Sequence, residues 1–178
     1  IFFAEGRYDF YPTNVLRKKF HISNTNDSPD SLKSIAFYFL DSKNIIIKAK
    51  NADVIMRGKV IEVCINNCEN VYIEGFSFDY SRPTVSEFIV ENISDKFADV
   101  KIHKDSDYLI QRGKLVWIGD GWQHNANSLW QIFNPKSKEI YRHSIPIEDL
   151  HFEERSKNQL RINFDKNPGF IKRVRYQN

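Results

Sequence analysis

The stretches "IAFYFLDSKNIIIKAKNA" (residues 35–52) and "IEVCINNCENVYIEGFSF" (residues 61–78) decide the fold, because one can be laid over the other at a single spacing. Ile35 falls on Ile61, Phe37 on Val63, Phe39 on Ile65, Asn44 on Asn70, Ile45 on Val71, Ile47 on Ile73 and Ala49 on Gly75, an offset of 26 residues throughout. Each copy holds two short runs of alternating apolar residues. Between them lies a polar corner, "LDSKN" (40–44) or "NNCEN" (66–70), rich in the Asp, Asn and Ser that favour turns. A repeat of this length with period-two strands and no helical period predicts successive coils of a parallel β-helix, each covering the apolar face of the last. Asn44 and Asn70 would then stack at one corner with their amides laddering between coils. The rival arrangement of the same residues is two hairpins of a β-sandwich.

Outward from the repeat, "IFFAEGRYDFYP" (1–12) and "FHISNTN" (20–26) read as earlier, less regular strands. Downstream the rhythm stops at Arg82-Pro83, where Pro83 removes a ladder donor and biases Arg82 towards extended backbone. From there the strands are isolated and irregularly spaced: "VSEFIVENIS", "FADVKIHK", "KLVWIGDG", "SLWQIFN", "EIYRHSI", "LHFEE" and "LRINFD". Turn residues bound each of them, which predicts a small antiparallel barrel or sandwich. The closing "FIKRVRY" (170–176) reads as a strand that rejoins the first domain. The expected all-β organisation is therefore coils of a β-helix over 1–82, an inserted β-barrel or sandwich over 83–170, and a return strand over 171–178. Ile1, in place of Met and opening directly onto apolar residues, reads as the start of a piece of a longer protein. So few coils leave an open stacking face, an edge that invites homo-oligomerisation.

Composition excludes several classes. The 178 residues are 41% hydrophobic and 14% aromatic, enough to bury a core, so the chain is not disordered. Lys+Arg 26 against Asp+Glu 23 leaves +3, with the basic residues scattered rather than striped among aromatics, so nucleic acid is not expected as a partner. No apolar run approaches the roughly 20 residues that span a bilayer, and no membrane partner is expected. Cys64 and Cys68 are too few for a disulfide framework and have no second pair for a zinc site. His21, His103, His124, His143 and His151 show no metal-ligand spacing, and no Gly-rich phosphate loop is present, so neither metal nor cofactor is expected. "SNTNDSPDS" (23–31) is rich in oxygen acceptors but lacks the pattern of a calcium loop, and reads as a turn-rich connection.

The segments "GRYDFYPTN" (6–14), "FHISNTNDSPDSLKSIAF" (20–37), "FSFDYSRPTVSEF" (76–88), "ADVKIHKDSDY" (98–108) and "GKLVWIGDGW" (113–122) together resemble the N-terminal part of glycoside hydrolase family 110. These are bacterial exo-acting α-1,3-galactosidases. The resemblance implies a right-handed parallel β-helix carrying small β-barrels, and inverting, metal-independent hydrolysis of terminal α-galactosyl glycans. It also implies a periplasmic or secreted location, and catalytic carboxylates on coils beyond residue 178. A non-catalytic carbohydrate-binding or structural β-domain, or part of a β-helix polysaccharide lyase or pectinase, are the competing readings.

Within the chain, Asp79, Tyr80 and Arg82 form the most sugar-like constellation: a carboxylate, an aromatic face and a guanidinium. Trp122, beside the turn "IGDG", is a candidate sugar platform, and Trp117 a weaker one. Against these stands a structural role, with Arg82 and Asp79 paired at a domain junction and the tryptophans in a core. Glu87, Glu91, Glu153 and Glu154 fall on strands of the second half, where solvent-facing carboxylates are ordinary. No catalytic pair is assigned.

Overall fold

The computed structural model describes residues 1–21, 32–172 and 175–177, so the acceptor-rich segment 23–31 lies outside the described residues. Two compact units divide at Arg82-Pro83: Ile1–Arg82 and Pro83–Asn178. Both are built of strands.

The first unit contains β1 (Phe2–Phe3), β2 (Gly6–Phe10), β3 (Leu16–Lys19), β4 (Leu32–Leu40), β5 (Lys43–Met56), β6 (Ile61–Asn66) and β7 (Glu69–Tyr80). β4 pairs with β6 in parallel at the 26-residue offset, with Ile35 opposite Ile61 and Phe37 opposite Val63. β5 pairs with β7 in parallel at the same offset from Lys43–Glu69 to Lys48–Glu74. On its other edge β5 takes β1 and β2, also parallel, while β3 adds to β4 antiparallel. The parallel ladders rule out consecutive hairpins for the two repeats.

The corners explain why the copies stay in register. Asp41, Asn44, Asn67 and Asn70 all have φ between 48° and 58°, the left-handed region that Asn and Asp tolerate better than other side chains. Asn70 Nδ2 donates to Asn44 Oδ1 at 2.9 Å, and Asn67 Nδ2 donates to Asp41 Oδ1. The amide-to-amide bond expected at this corner is thus present, with an amide-to-carboxylate bond beside it.

The offset is not constant, however. After Lys48 it falls to 24 residues, so that Ala52 faces Phe76, Val54 faces Phe78 and Met56 faces Tyr80. The first repeat bulges outwards over Ala49–Asn51, with Asn51 at φ 52°. Gly75, at φ 80°, lies under the bulge, and a Cβ there would be 2.0 Å from the Ala49 carbonyl oxygen. Only glycine fits so close an approach.

Inward rows form the core. Phe37, Val54, Met56 and Val60 are buried, with Phe3, Phe10 and Phe76 packed on them at ring separations of 5.3 to 5.9 Å. Burial is one-sided. Ile47, Ala52, Val54 and Met56 of β5 are buried, whereas their β7 neighbours Ile73, Phe76, Phe78 and Tyr80 are half-buried or exposed.

The second unit contains β8 (Glu87–Ile93), β9 (Phe97–Ile102), β10 (Tyr108–Gln111), β11 (Lys114–Gly119), β12 (Trp122–Asn125), β13 (Leu129–Phe133), β14 (Ile140–Ser144), β15 (His151–Ser156), β16 (Gln159–Asn163) and β17 (Arg175–Gln177), with a single 3-10 turn at Ile147–Asp149. A seven-stranded antiparallel sheet runs β14-β13-β17-β8-β9-β16-β15, and a three-stranded one β10-β11-β12. Of the expected barrel or sandwich, the antiparallel strands are present, but among the described residues the sheet does not close: no ladder joins β14 to β15. β15 instead meets the β10–β11 hairpin through the backbone bond from Phe152 N to Gly113 O at 2.8 Å and the side-chain bond from Tyr108 Oη to Glu154 Oε1 at 2.6 Å, and the largely exposed β14 stays an edge.

The segment 171–178, expected to return to the first domain, is corrected in the same way. β17 lies inside this sheet, antiparallel to both β13 and β8. Its apolar residue gives the reason. Tyr176 is fully buried, stacked on Phe88 at 5.4 Å and 17° and flanked by Trp130 and Phe170. Its hydroxyl donates to Gly169 O at 3.1 Å and accepts Ile171 N at 2.9 Å.

Two predictions follow from this packing. Gly75→Ala should destabilise the chain by more than ~1 kcal/mol, through positive φ and the clash with Ala49, whereas Asn70→Ala should remove about one hydrogen bond's worth, ~1 kcal/mol. Urea unfolding compares them, and equal, negligible losses would contradict the register. Burial pushes the Tyr176 phenol up to about 12, and burial with a bond to Glu154 pushes Tyr108 up to about 12. The stability these neutral phenols contribute is complete below the unfolded value near 10 and is lost as pH rises towards 12. Tyr176→Phe should make that alkaline loss shallower, and an unchanged pH profile of thermal unfolding would show that Tyr176 is not its source.

Candidate functional site

The sheet formed by β2, β5 and β7 places polar residues in rows on its outward face. Register aligns Arg7, Asp53 and Ser77 in one row and Asp9, Ile55 and Asp79 in the next. Tyr8, Val54 and Phe78 lie between them on the opposite face, as period-two alternation requires. Ser77 Oγ donates to Asp53 Oδ1 at 2.5 Å, and the outer side chains Lys43–Glu69 and Lys48–Glu74 pair at 2.6 Å.

Asp79 is exposed, at the free edge of its row, and its Oδ1 accepts the Tyr80 backbone N–H at 2.8 Å. The Tyr80 side chain lies on the other face. It packs on the inner cluster, and its hydroxyl donates to Val60 O at 2.9 Å. Burial, with the Glu62 carboxylate beside it, holds this phenol protonated far above its ordinary range. Arg82 is buried, at 8% exposure. Asp79 and Tyr80 therefore do not converge on one surface.

Trp122, on β12, is half-buried and packs on the core of the second unit. Its indole occupies the space where a side chain on Gly119, its partner across the ladder, would stand. Trp117 is a core residue at 2% exposure, and its Nε1 has no acceptor among the described residues.

Sequence reading missed Asp9. Its carboxylate accepts Arg7 Nε and Nη2 and Arg57 Nε, each at 2.8 Å. Arg7 first and Arg57 second hold it well below the usual carboxylate range. Arg57 also stands 6.0 Å from the Tyr11 ring. The alternation in "RYDF" (7–10) shows that Arg7 and Asp9 share a face, but nothing local tells that Arg57 joins them.

This geometry limits the chemistry. Asp9 and Asp79 lie two strands apart in one row, about 9.6 Å at 4.8 Å per strand. An inverting glycosidase places its carboxyl pair at a comparable distance. Yet a carboxylate clamped by two guanidiniums holds no proton near neutral pH and cannot serve as the acid. Of the second unit's glutamates, Glu87 pairs with Arg175 at 3.5 Å, Glu153 with Arg155 at 3.7 Å, and Glu154 accepts Tyr108 Oη at 2.6 Å. Among the described residues no group of His, Cys, Asp and Glu could hold a metal ion, and no helix is long and apolar enough to cross a membrane.

Comparison with known proteins places the chain. The family model described as GLAA-B beta-barrel domain I matches residues 86–171. Alpha-1,3-galactosidase A of Akkermansia muciniphila is 34% identical over 137 residues, 76% of this chain and 23% of that protein. Alpha-1,3-galactosidase A of Bacteroides thetaiotaomicron is 30% identical over 151 residues, 83% of this chain and 26% of that protein. Alpha-1,3-galactosidase B of the same organism is 27% identical over 136 residues, 75% of this chain and 21% of that protein. These matches run through most of the chain, which spans about a quarter of its relatives' length, and over that span it is homologous to proteins named α-1,3-galactosidase A and B.

Proposed function

We propose that this chain is the N-terminal part of a glycoside hydrolase that removes terminal α-1,3-linked galactose from glycans, with inversion at the anomeric carbon. The observation that carries the reading is the likeness to proteins named α-1,3-galactosidase over 76% and 83% of the chain. The first unit is read as the opening coils of a right-handed parallel β-helix. Its parallel ladders and stacked corner amides support this, and the half-covered inner face of β7 suits a further coil. The second unit is read as a domain inserted between coils. Its first and last strands, β8 and β17, are neighbours, so a chain that leaves at one can rejoin beside it.

In this reading the chain shapes the substrate cleft and does not supply the acid and base. Asp79, at the outward edge of β7, offers its carboxylate to a sugar hydroxyl, and Tyr80 and Arg82 hold the strand end that carries it. Trp122 offers the edge of a half-buried ring. Glycans displayed outside the cell suit an exported enzyme, periplasmic or secreted.

Proton NMR of galactose release from an α-1,3-linked galactosyl disaccharide tests the reading, with this chain and a longer natural chain containing it. Release by the longer chain alone, with β-galactose appearing first, is expected. Release of α-galactose first would overturn inversion, and release by the 178-residue chain would return catalysis to these residues. No release by either would favour a non-catalytic glycan-binding domain.

A further inference from the structure

The second unit carries a groove of about 650 Å³ whose lining includes none of the candidate-site residues above. Leu115, Val116, Ala126 and Ile147 contribute its apolar lining. Four exposed polar side chains line it as well: Gln111 at the end of β10, Arg112 from the β10–β11 turn, Asn125 from β12, and Glu148 from the 3-10 turn.

Both walls are fixed. Arg112 and Gly113 have φ of 50° and 74°, the pair of positive values that closes a tight two-residue hairpin. Gly113 lies against the His151 ring, and its carbonyl accepts Phe152 N at 2.8 Å. On the other side Lys114 Nζ donates to Glu148 O at 2.7 Å, Leu150 O at 3.2 Å and Ile147 O at 3.5 Å. Three carbonyls around one ammonium fasten the 3-10 turn over β11. Lys114 is thus occupied as a clamp, and the groove is preorganised rather than a gap between loose loops.

The lining chemistry selects a ligand class. Arg112 and Glu148 oppose one another in charge, the Lys114 ammonium is turned onto three backbone carbonyls, and the amides of Gln111 and Asn125 each donate and accept. An anion would meet Glu148 and a cation Arg112. A neutral molecule bearing several hydroxyls on an apolar face matches both sets of groups, and the volume falls within the range of small-molecule sites, ~300–1,000 Å³. We propose that this groove binds a neutral oligosaccharide. The choice of a glycan over other neutral polyols rests on the galactosidase reading. The groove itself does not.

Titration of the isotope-labelled 178-residue chain with an α-1,3-linked galactosyl disaccharide, followed by amide NMR, tests the proposal. Saturable shifts at Arg112, Val116, Asn125 and Glu148 are expected, with an affinity insensitive to salt. Asn125→Ala and Gln111→Ala alter exposed side chains, so both variants should fold, and each should weaken binding by about fivefold, the effect of one hydrogen bond. Absence of saturable shifts at tens of millimolar, shifts confined to other residues, strong salt dependence, or undiminished binding by both variants would overturn it. Because the readout is binding and not release, failure here leaves the hydrolase reading standing, and failure of galactose release leaves this site standing.

Discussion

Corner residues in the left-handed region set everything else in the Ile1–Arg82 unit. Asp41, Asn44, Asn67 and Asn70 turn the chain at equivalent points of the two repeats, and their side chains bond directly from one repeat to the next. A slip of one residue at such a corner would break those bonds and carry every following side chain to the opposite face of its sheet. Ile47, Val54 and Met56 would then face water, and Asp53 would face the core. The outward rows that hold Asp9, Asp53 and Asp79 exist because that slip is prevented. The surface ion pairs Lys43–Glu69 and Lys48–Glu74 contribute less, since both partners are largely exposed.

The second unit is organised around buried aromatic rings instead. Phe88, Trp130, Phe170 and Tyr176 come from four separate places in the chain and meet within 5.1 to 6.3 Å of one another. Because Phe88 opens the unit and Tyr176 lies close to its end, their stacking draws its first and last strands together.

Much of this was legible in the sequence, and the failures have physical causes. The 26-residue repeat showed because inward rows must be apolar and corners must turn, and both demands constrain residue type. The shift to 24 residues was hidden. Ala49 aligns with Gly75 as one small residue on another, and only the close approach of two backbones reveals that the glycine is obligatory. In the second unit the seven expected strands correspond to β8, β9, β11, β13, β14, β15 and β16, whereas β10 and β12 were missed. Both are four residues long, and "WQHN" has no alternation to read. The final strand was recognised as a strand but given the wrong neighbours, because period two reports that a face is buried and not what covers it. The candidate site suffered likewise. Alternation placed Asp79 on the face opposite Phe78, but the Arg57–Asp9 contact spans 48 residues and depends on a pairing that no local pattern announces.

Interstrand nuclear Overhauser effects between β5 and β7 test the central claim most directly. The structure predicts parallel-sheet contacts pairing Ile45 with Val71 and Ile47 with Ile73, followed by a shift so that Val54 contacts Phe78 and Met56 contacts Tyr80. Close Hα–Hα contacts of an antiparallel ladder, or a 26-residue offset persisting through Val54, would contradict the register on which the rows, the core and the position of Asp79 all depend.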